Sequence, residues 1–392
     1  MRDPRAAPGP RPVLFWCAAS QIDRERFGFA RAFARLGVPV ATLELETAPG
    51  EELAREQPFG PTPRLILWPD AGGVPPARVL ASNVPTACFH IDTFEDAPRR
   101  IATSMLFDYA CLFHPRFLTV WERAGHPRPI LVPHAVDPDP FAPRGEPRRY
   151  DVGWVGQADH AFYAARRRLL PRLATRFSMN EWNRPHSYGE MAEVYRCSKI
   201  VVNISRDDYP EDANLRLFEA MASGALLVTL LPTEAEELGL VTGEHFVGYR
   251  HDDELLDVLA HYLAHDDDRA RIAEAGRAAV LREHTYERRA ADLLATVAAD
   301  GGRLFAPARR WSASRTSRAH LGCHADAHLW DPLRREFGRL ARMSPWAAIQ
   351  ALPLVLRELV WRWRLRLRVR ERVTGQVRAA AAALGGLTRG AS

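Results

Sequence analysis

The chain has 392 residues, and at roughly 150 residues per domain this length predicts two domains with an appendage. Hydrophobic residues make up 47% and charged residues 26%, which excludes an intrinsically disordered chain. The 5 cysteines are widely spaced and form no CxxC motif, so neither a disulfide framework nor a zinc ribbon is expected, and a reducing cytoplasm fits. No apolar run reaches the roughly 18 residues of a transmembrane helix.

The net charge of +5 conceals an asymmetry. Residues 301–392 contain 18 arginines against 5 acidic residues, a net charge of +13, whereas residues 1–300 carry −8. The sequence therefore combines an acidic body with a strongly basic C-terminal extension.

Short apolar runs alternate with amphipathic stretches along the first 300 residues. They predict strands at 12–18, 38–43, 64–68, 86–90, 109–113 and 130–133, then at 151–155, 200–204, 226–230 and 245–249. The stretches between them predict helices at 23–36, 162–174, 188–197, 215–222, 253–265, 269–283 and 286–298. Buried strands that alternate with helices indicate βαβ units and parallel sheets. We interpret the first apolar run as a strand because it is too short and too bulky for a signal peptide.

Four prolines between residues 138 and 147 predict a linker between two α/β halves. The predicted domains are residues 1–145, residues 146–300 and an extension at 301–392. Ligands of open parallel sheets bind at the carboxyl ends of the strands, so we expect a cleft between the two halves.

The most informative segment is residues 211–229, in which a polar loop leads into a short helix, a glycine stop and a buried strand. Glu211 and Glu219 bracket the start of this helix. Unpaired amides at a helix N-terminus can hold a nucleotide diphosphate, and nearby carboxylates can accept hydrogen bonds from sugar hydroxyls. Arg216 can pair with a phosphate, and Asn214 can cap the helix.

This segment resembles a known nucleotide-sugar site. Two glutamates eight positions apart, followed by Ala-Met-Ala-Ser-Gly, resemble the pattern of retaining glycosyltransferases of the GT-B fold. The longer motif Asn-x-Arg-x-Phe-Glu-Ala-Met-Ala-Ser-Gly is similar to the CgeB-type (spore maturation protein) glycosyltransferase-like family. The stretches 131–137, 150–156, 198–203 and 284–288 agree with it. The resemblance implies an α/β fold of the GT-B type, with two Rossmann-like parallel-sheet domains facing a cleft.

The resemblance also implies roles for individual residues. Glu219 would hold the ribose hydroxyls, Glu211 would contact the donor sugar, and Arg216 would lie near the diphosphate. Gly156 would let the backbone approach the phosphates, and Gly224 completes the donor-binding set. The adjacent Arg and Lys that follow this glycine in the broader family are not evident here, since the arginines at 166–168 lie further along the chain. Residues 212–214 replace the usual Gly-Phe-Gly.

Histidines and one aspartate provide the remaining candidate residues. His90 and Asp92 follow a predicted strand of the first half, where either could orient an acceptor or take its proton, or could simply close a turn. His134 is expected to pack at the hinge. His320, His324 and His328 recur at helical spacing; we favour a partly exposed helix face over a zinc site.

Residues 360–370 alternate apolar side chains with arginine. A strand would then be cationic on one side, whereas a helix would scatter the arginines around its axis. An anionic membrane surface, contacted by residues 340–378, is one predicted partner. Docking on the acidic body and an unstructured basic tail are the alternatives, and no nucleic acid is expected because no nucleic-acid motif accompanies the charge.

The sequence thus predicts a cytoplasmic glycosyltransferase, peripheral at the inner membrane face if the tail binds lipid. It would move a sugar from a nucleotide-diphosphate donor to an unknown glycan or protein acceptor, with no cofactor and no metal. Retention of configuration is implied by the resemblance alone. The alternatives are a catalytically degenerate GT-B module that binds glycan or acts as a scaffold, and a peripheral membrane or polyanion-binding protein.

Overall fold

In the computed structural model, the described residues are 11–17, 28–44, 63–68, 82–90, 93–94, 96–210, 213–326 and 328–365. Within them, ten strands form two sheets, one of six strands and one of four, and all strand pairs are parallel. The chain divides into two compact units, the first ending at Pro307 and containing both sheets.

The first sheet has the strand order β2-β1-β3-β4-β5-β6. Its strands are β1 (Val13–Cys17), β2 (Val40–Glu44), β3 (Leu65–Trp68), β4 (Thr86–Phe89), β5 (Tyr109–Leu112) and β6 (Pro129–Leu131). Its helices are α1 (Phe29–Arg35), α2 (Ala97–Ser104) and α3 (Pro115–Arg123). Every residue of β3, β4 and β5 is buried, as expected for parallel strands between two layers.

The second sheet has the order β10-β9-β8-β7. Its strands are β7 (Tyr150–Gly153), β8 (Ser198–Asn203), β9 (Leu226–Leu230) and β10 (Val247–Tyr249). Its helices are α5 (Ala164–Arg176), α6 (Tyr188–Arg196), α7 (Leu215–Ala222), α8 (Thr233–Glu237), α9 (Asp252–Ala264) and α10 (Asp266–Glu283), with α4 (Pro138–Phe141) before them and α11 (Tyr286–Ala299) after them. Ile200 and Val202 join the core on one face and Val201 the core on the other, because successive side chains of a strand point to opposite faces.

The ten predicted strands coincide with the observed ones to within a few residues, which confirms the predicted α/β class. Among the described helices of the first unit, α2, α3, α4 and α8 were not predicted. Each has a proline at its first or second position or just before it, and such a proline marks a turn as readily as a helix start.

The chain returns to the first half after α10. Val136, just beyond β6, donates its amide to His284 O (2.9 Å) and accepts from the amide of Tyr286 (3.1 Å). The Tyr286 ring packs against Phe29 of α1 at 5.1 Å between centroids, and α11 lies in the core of the first sheet. The domain limits 1–145, 146–300 and 301–392 stay a prediction, but this helix from the predicted second domain completes the core of the first half.

A buried carboxylate fastens the segment that follows α11. Asp108 Oδ2 accepts hydrogen bonds from the amide and hydroxyl of Thr86, both at 2.9 Å. Its Oδ1 accepts from the amides of Phe305 (2.7 Å) and Ala306 (2.8 Å). Four donors compensate for the burial of this charge and bind residues 305–306 to the first half.

Arg148 organises the amino-terminal edge of the second sheet. Its guanidinium donates to five backbone oxygens, those of Tyr195, Arg196, Ser198, Ser223 and Gly224. Four of these carbonyls lie at the ends of α6 and α7, where helical partners are missing, and the fifth belongs to Ser198 at the start of β8. Burial lowers the pKa of Arg148.

The described part of the second unit contains three α-helices: α12 (Ala313–Asp326), α13 (Trp330–Met343) and α14, which begins at residue 345 and continues to the last described residue, 365. Its core consists of Leu321, Ala325, Leu333, Leu340, Ala348 and Ala351. Residues 360–365, for which the sequence left strand and helix open, are helical. Residues 366–370 lie outside the described residues.

The interpretation of the three tail histidines as a partly exposed helix face was wrong. His320 and His324 are buried on α12, and His328 lies beyond the end of that helix with a positive φ of 56°. No group of residues suited to hold a metal ion occurs in the described part of the chain.

Arg148 allows a matched test of stability. We expect Arg148→Ala to lower the free energy of unfolding by about 2–4 kcal/mol, because buried carbonyls lose their donor. The neighbouring Arg149 is half exposed and pairs with Glu193, so Arg149→Ala should change it by less than about 1 kcal/mol. Urea unfolding of both variants measures the difference; equal losses would contradict this role of Arg148.

His284 predicts acid sensitivity of the junction. Burial, with the charge of Arg289 as a smaller cause, lowers the pKa of His284 to about 4. In the unfolded chain this histidine binds a proton near pH 6.5, whereas in the native state it stays neutral down to about pH 4. The free energy of unfolding therefore decreases as the pH falls from 6.5 towards 4, by about 1.4 kcal/mol per pH unit. Urea unfolding at pH 7 and pH 5 measures this loss. The free energy of unfolding of His284→Gln should decrease less between the two pH values than that of the wild type, because the contribution of this histidine is absent. Equal losses would refute the assignment.

Candidate functional site

The loop after β7 is held in a fixed conformation at the carboxyl edge of the second sheet. The amide of Trp154 donates to Asn180 Oδ1 and the Asn180 amide group donates back to Trp154 O, both at 3.0 Å. Asn180 is buried. This reciprocal pair fixes the backbone that leads to Val155 and Gly156.

Arg216 lies beside this loop at the start of α7. Its Nε donates to Val155 O (3.2 Å) and its Nη1 to Asn203 Oδ1 (2.6 Å), at the end of β8. As predicted, Asn214 caps the helix: its Oδ1 accepts a hydrogen bond from the amide of Arg216 at 3.1 Å. A Cβ atom at Gly156 would lie 3.0 Å from Arg216 Nη2, so glycine leaves room for the guanidinium.

A second guanidinium converges on the same edge. Arg166, on α5, donates from Nε to Ile204 O and from Nη1 to Gln157 O, both at 2.8 Å. Its guanidinium carbon lies 3.8 Å from the ring centroid of Tyr163. Burial, and then the charge of Arg216, lower the pKa of Arg166 to about 10. Two cations that repel one another at the carboxyl edge favour an anion beside them.

Glu219 completes the described part of the predicted donor site. It lies one helical turn after Arg216, so both project from the same side of α7. Its side chain is only 5% exposed. The other predicted glutamate, Glu211, lies outside the described residues, as does Asp92.

Gly224 does not belong to this site. It follows the C-terminal end of α7 with φ at 69°, a conformation that glycine adopts at no steric cost. A Cβ atom at Gly224 would lie 3.4 Å from both Arg148 and Pro143, at the opposite edge of the sheet from Gly156. We therefore correct its predicted role from donor binding to helix termination.

The catalytic prediction for His90 is also corrected. The residue is 0% exposed, and its Nε2 lies 2.7 Å from Ser104 Oγ. Its ring packs against Trp68 and Trp121. The imidazole thus faces the core of the first half and not an acceptor. His134 stacks on Phe113, which agrees with the predicted packing role.

The two halves of the first unit contact each other through an aromatic pair and an ion pair. Phe94 of the first half stacks on Tyr209 of the second, with centroids 3.8 Å apart and planes 6° from parallel. Arg116 Nη2 lies 2.9 Å from Glu234 Oε1, and the Tyr209 hydroxyl donates to the same carboxylate. These contacts form an aromatic and ionic bridge between the halves.

This bridge consists of residues that sequence reasoning missed. Phe94 lies two positions after Asp92, and Tyr209 two positions before Glu211, so the bridge brings the flanks of both predicted segments together. A signal was available for Arg116, which closely follows a predicted strand. Nothing in the sequence indicates its partner Glu234, because that ion pair depends on the packing of one half on the other.

Comparisons with known proteins agree with this architecture. Residues 150–295 match a protein family described as glycosyl transferase-like. No curated protein sequence matches the chain. Among solved structures, a glycosyltransferase from Rickettsia africae is similar at 11% identity, covering 74% of this chain and 98% of its own, with a TM-score of 0.54.

Two further structures share the fold. A sucrose-phosphate synthase from Thermosynechococcus elongatus is 13% identical, with 74% of this chain and 99% of the other covered and a TM-score of 0.53. The Anabaena protein HepE in complex with UDP and glucose is 12% identical, with 74% and 100% covered and a TM-score of 0.50. The fold is therefore GT-B, as predicted, and the family match supports glycosyl transfer in general. The narrower CgeB-type resemblance stays a prediction.

Proposed function

We propose that this protein transfers a sugar from a nucleotide-diphosphate donor to an acceptor hydroxyl or amide. The observation that carries the proposal is the convergence of Arg166 and Arg216 on Gly156, at the carboxyl edge of the second sheet. The family match over the same half and the UDP and glucose bound by HepE support a nucleotide sugar as the ligand.

The donor occupies the second half in this proposal. Arg166 and Arg216 contact the diphosphate, and the amides at the start of α7 face it. Glu219 accepts hydrogen bonds from the ribose hydroxyls. Asn214 fixes the start of the helix, and Gly156 keeps the phosphate approach open.

Transfer breaks the bond between the anomeric carbon and the diphosphate oxygen, so negative charge accumulates on the leaving diphosphate. The two guanidiniums and the helix amides are placed to stabilise that charge before the reaction begins. Because these groups can neutralise the leaving group, we propose that no metal or other cofactor is needed. Glu211 contacts the donor sugar, and the transfer retains the anomeric configuration.

The acceptor, a glycan or a protein, binds from the side of the first half. Asp92 is the proposed residue there that orients the acceptor or takes its proton. The contact between Phe94 and Tyr209 supports this placement, since these two residues lie two positions from Asp92 and Glu211 in the sequence. Membership of the CgeB-type group is part of this proposal.

The hypothesis of a catalytically degenerate module rests on the absence of an adjacent Arg and Lys after Gly156. Arg166 and Arg216 supply two cations beside this glycine, which favours an active enzyme over the degenerate module.

None of the helices in the described ranges has the length and hydropathy needed to cross a membrane. We propose that the protein acts in the cytoplasm.

Nucleotide binding tests the donor site. In a thermal-shift panel of UDP, GDP, dTDP and ADP with their sugars, we expect one series to stabilise the wild type, by about 2.7 kcal/mol at a hundredfold excess over Kd. Glu219→Ala should abolish most of the shift, because the ribose hydroxyls lose the carboxylate that accepts their hydrogen bonds. Glu193→Gln, on the exposed side of α6, is the control and should shift like the wild type.

Thermal shift combined with assays of donor hydrolysis and transfer separates an enzyme from a binding module. With the nucleotide sugar that binds, Glu211→Gln should keep the thermal shift but lose donor hydrolysis and transfer. Binding without turnover by the wild type would support the degenerate module, and no shift in any series would sink the donor site itself.

The role of Arg166 has a control two residues away. Arg168 lies on the same helix but forms an exposed pair with Asp252. We expect Arg166→Gln to weaken nucleoside diphosphate binding by about tenfold to a hundredfold, because a charge-assisted contact is lost, and Arg168→Gln to leave it unchanged. Calorimetric titration with the diphosphate and the monophosphate measures both. A loss that is equal for the two ligands would assign Arg166 a merely structural role.

A further inference from the structure

The outward face of α14 is apolar, which is unusual for an exposed helix surface. Two of its tryptophans, Trp346 and Trp363, are 69% and 61% exposed. The outer face, as used below, consists of these two and four aliphatic residues, Ile349, Leu352, Leu356 and Leu359. At 3.6 residues per turn these positions fall on one side of the helix.

The other side of α14 is already occupied. Ala348 and Ala351 pack against α12 and α13 in the core of the second unit. Glu358 is 1% exposed and accepts from Arg362 Nε at 2.8 Å, with His328 Nδ1 2.7 Å from its other oxygen. The outer face is therefore a second apolar surface that the helix does not need for its own packing. Contiguous exposed apolar surface of this kind marks an interaction site.

Charge determines what kind of partner fits. Residues 357–372 contain seven arginines and two glutamates. Glu358 is the one acidic residue in the described part of α14, and its carboxylate is buried between Arg362 and His328. Arg364 is exposed and directly follows Trp363. The surface that reaches solvent thus combines hydrocarbon with positive charge.

We propose that the outer face of α14 binds an anionic lipid bilayer, with the helix lying in the plane of the interface. Trp346 and Trp363 lie about 26 Å apart along the axis, and tryptophan prefers the interfacial region. The aliphatic side chains between them enter the acyl boundary, while arginines of α14 such as Arg364 contact lipid phosphates.

Other occupants fit the surface less well. A second copy of the chain would bring two arginine-rich segments together, and like charges repel. The phosphates of a nucleic acid could pair with the arginines, but a nucleic acid has no apolar surface that could bury Ile349 or Leu356. This proposal does not rest on the proposed sugar transfer, because it concerns a different unit of the chain.

Vesicle sedimentation of the full-length protein tests the proposal. We expect binding to phosphatidylcholine vesicles that contain phosphatidylglycerol, little binding to pure phosphatidylcholine, and a loss at high salt because charges are screened. The double variant I349S/L356S should lower partitioning by at least about tenfold, since two side chains no longer enter the acyl region. R364Q should lower it by about fivefold.

Val241→Ser is the control for exposed apolar surface. Val241 is 43% exposed and lies between α8 and β10, far along the chain from α14, so this variant should bind vesicles like the wild type. All variants should keep the wild-type thermal midpoint and nucleotide binding, because the altered side chains are exposed.

Three results would overturn the proposal. The first is equal binding, or none, to neutral and anionic vesicles. The second is wild-type partitioning by I349S/L356S. The third is a concentration-dependent dimer in sedimentation velocity that this double variant abolishes, which would assign the outer face to a second copy.

Discussion

The backbone exchange between Val136 and residues 284–286 is the contact on which the arrangement of both sheets depends. One residue just beyond the first sheet donates to His284 and accepts from Tyr286, as neighbouring strands do. The exchange directs α11 into the core of the first half, so that each half contains chain from both sides of the linker. A proton on His284 would disturb the hydrogen bond that Arg289 donates to its Nδ1 at 2.9 Å.

The candidate site follows from this arrangement together with parallel strand geometry. All strands of a parallel sheet end at one edge, so the loops after β7 and β8 are neighbours although about fifty residues separate them. Arg166 and Arg216 reach that edge from two helices and are fixed there by carbonyls of the loops themselves. Such anchoring spends no ligand binding energy on ordering long side chains.

Apolar runs were sufficient to predict all ten strands of the described residues, because buried parallel strands leave a signal that is local in sequence. The site was predicted only in part. Asn214 and Arg216 share one motif with Glu219, whereas Arg166 acquires its position through contacts with Gln157 and Ile204 that no spacing rule reveals. His90 failed for a related reason: its place after a strand was foreseen, but the direction of its ring depends on Ser104 and Trp121, which belong to helices the sequence did not predict.

The carboxylate of Asp108 has a consequence for the order of synthesis. Its four donors include the amides of residues 305–306, and the same core needs Tyr286 and Leu293 from α11. Until residues 286–306 have been synthesised, the N-terminal half therefore lacks two of the donors to Asp108 and the side chains of α11 that pack against α1. Nascent chains would expose this incomplete core to chaperones during that interval, and an excised N-terminal half would keep it exposed permanently.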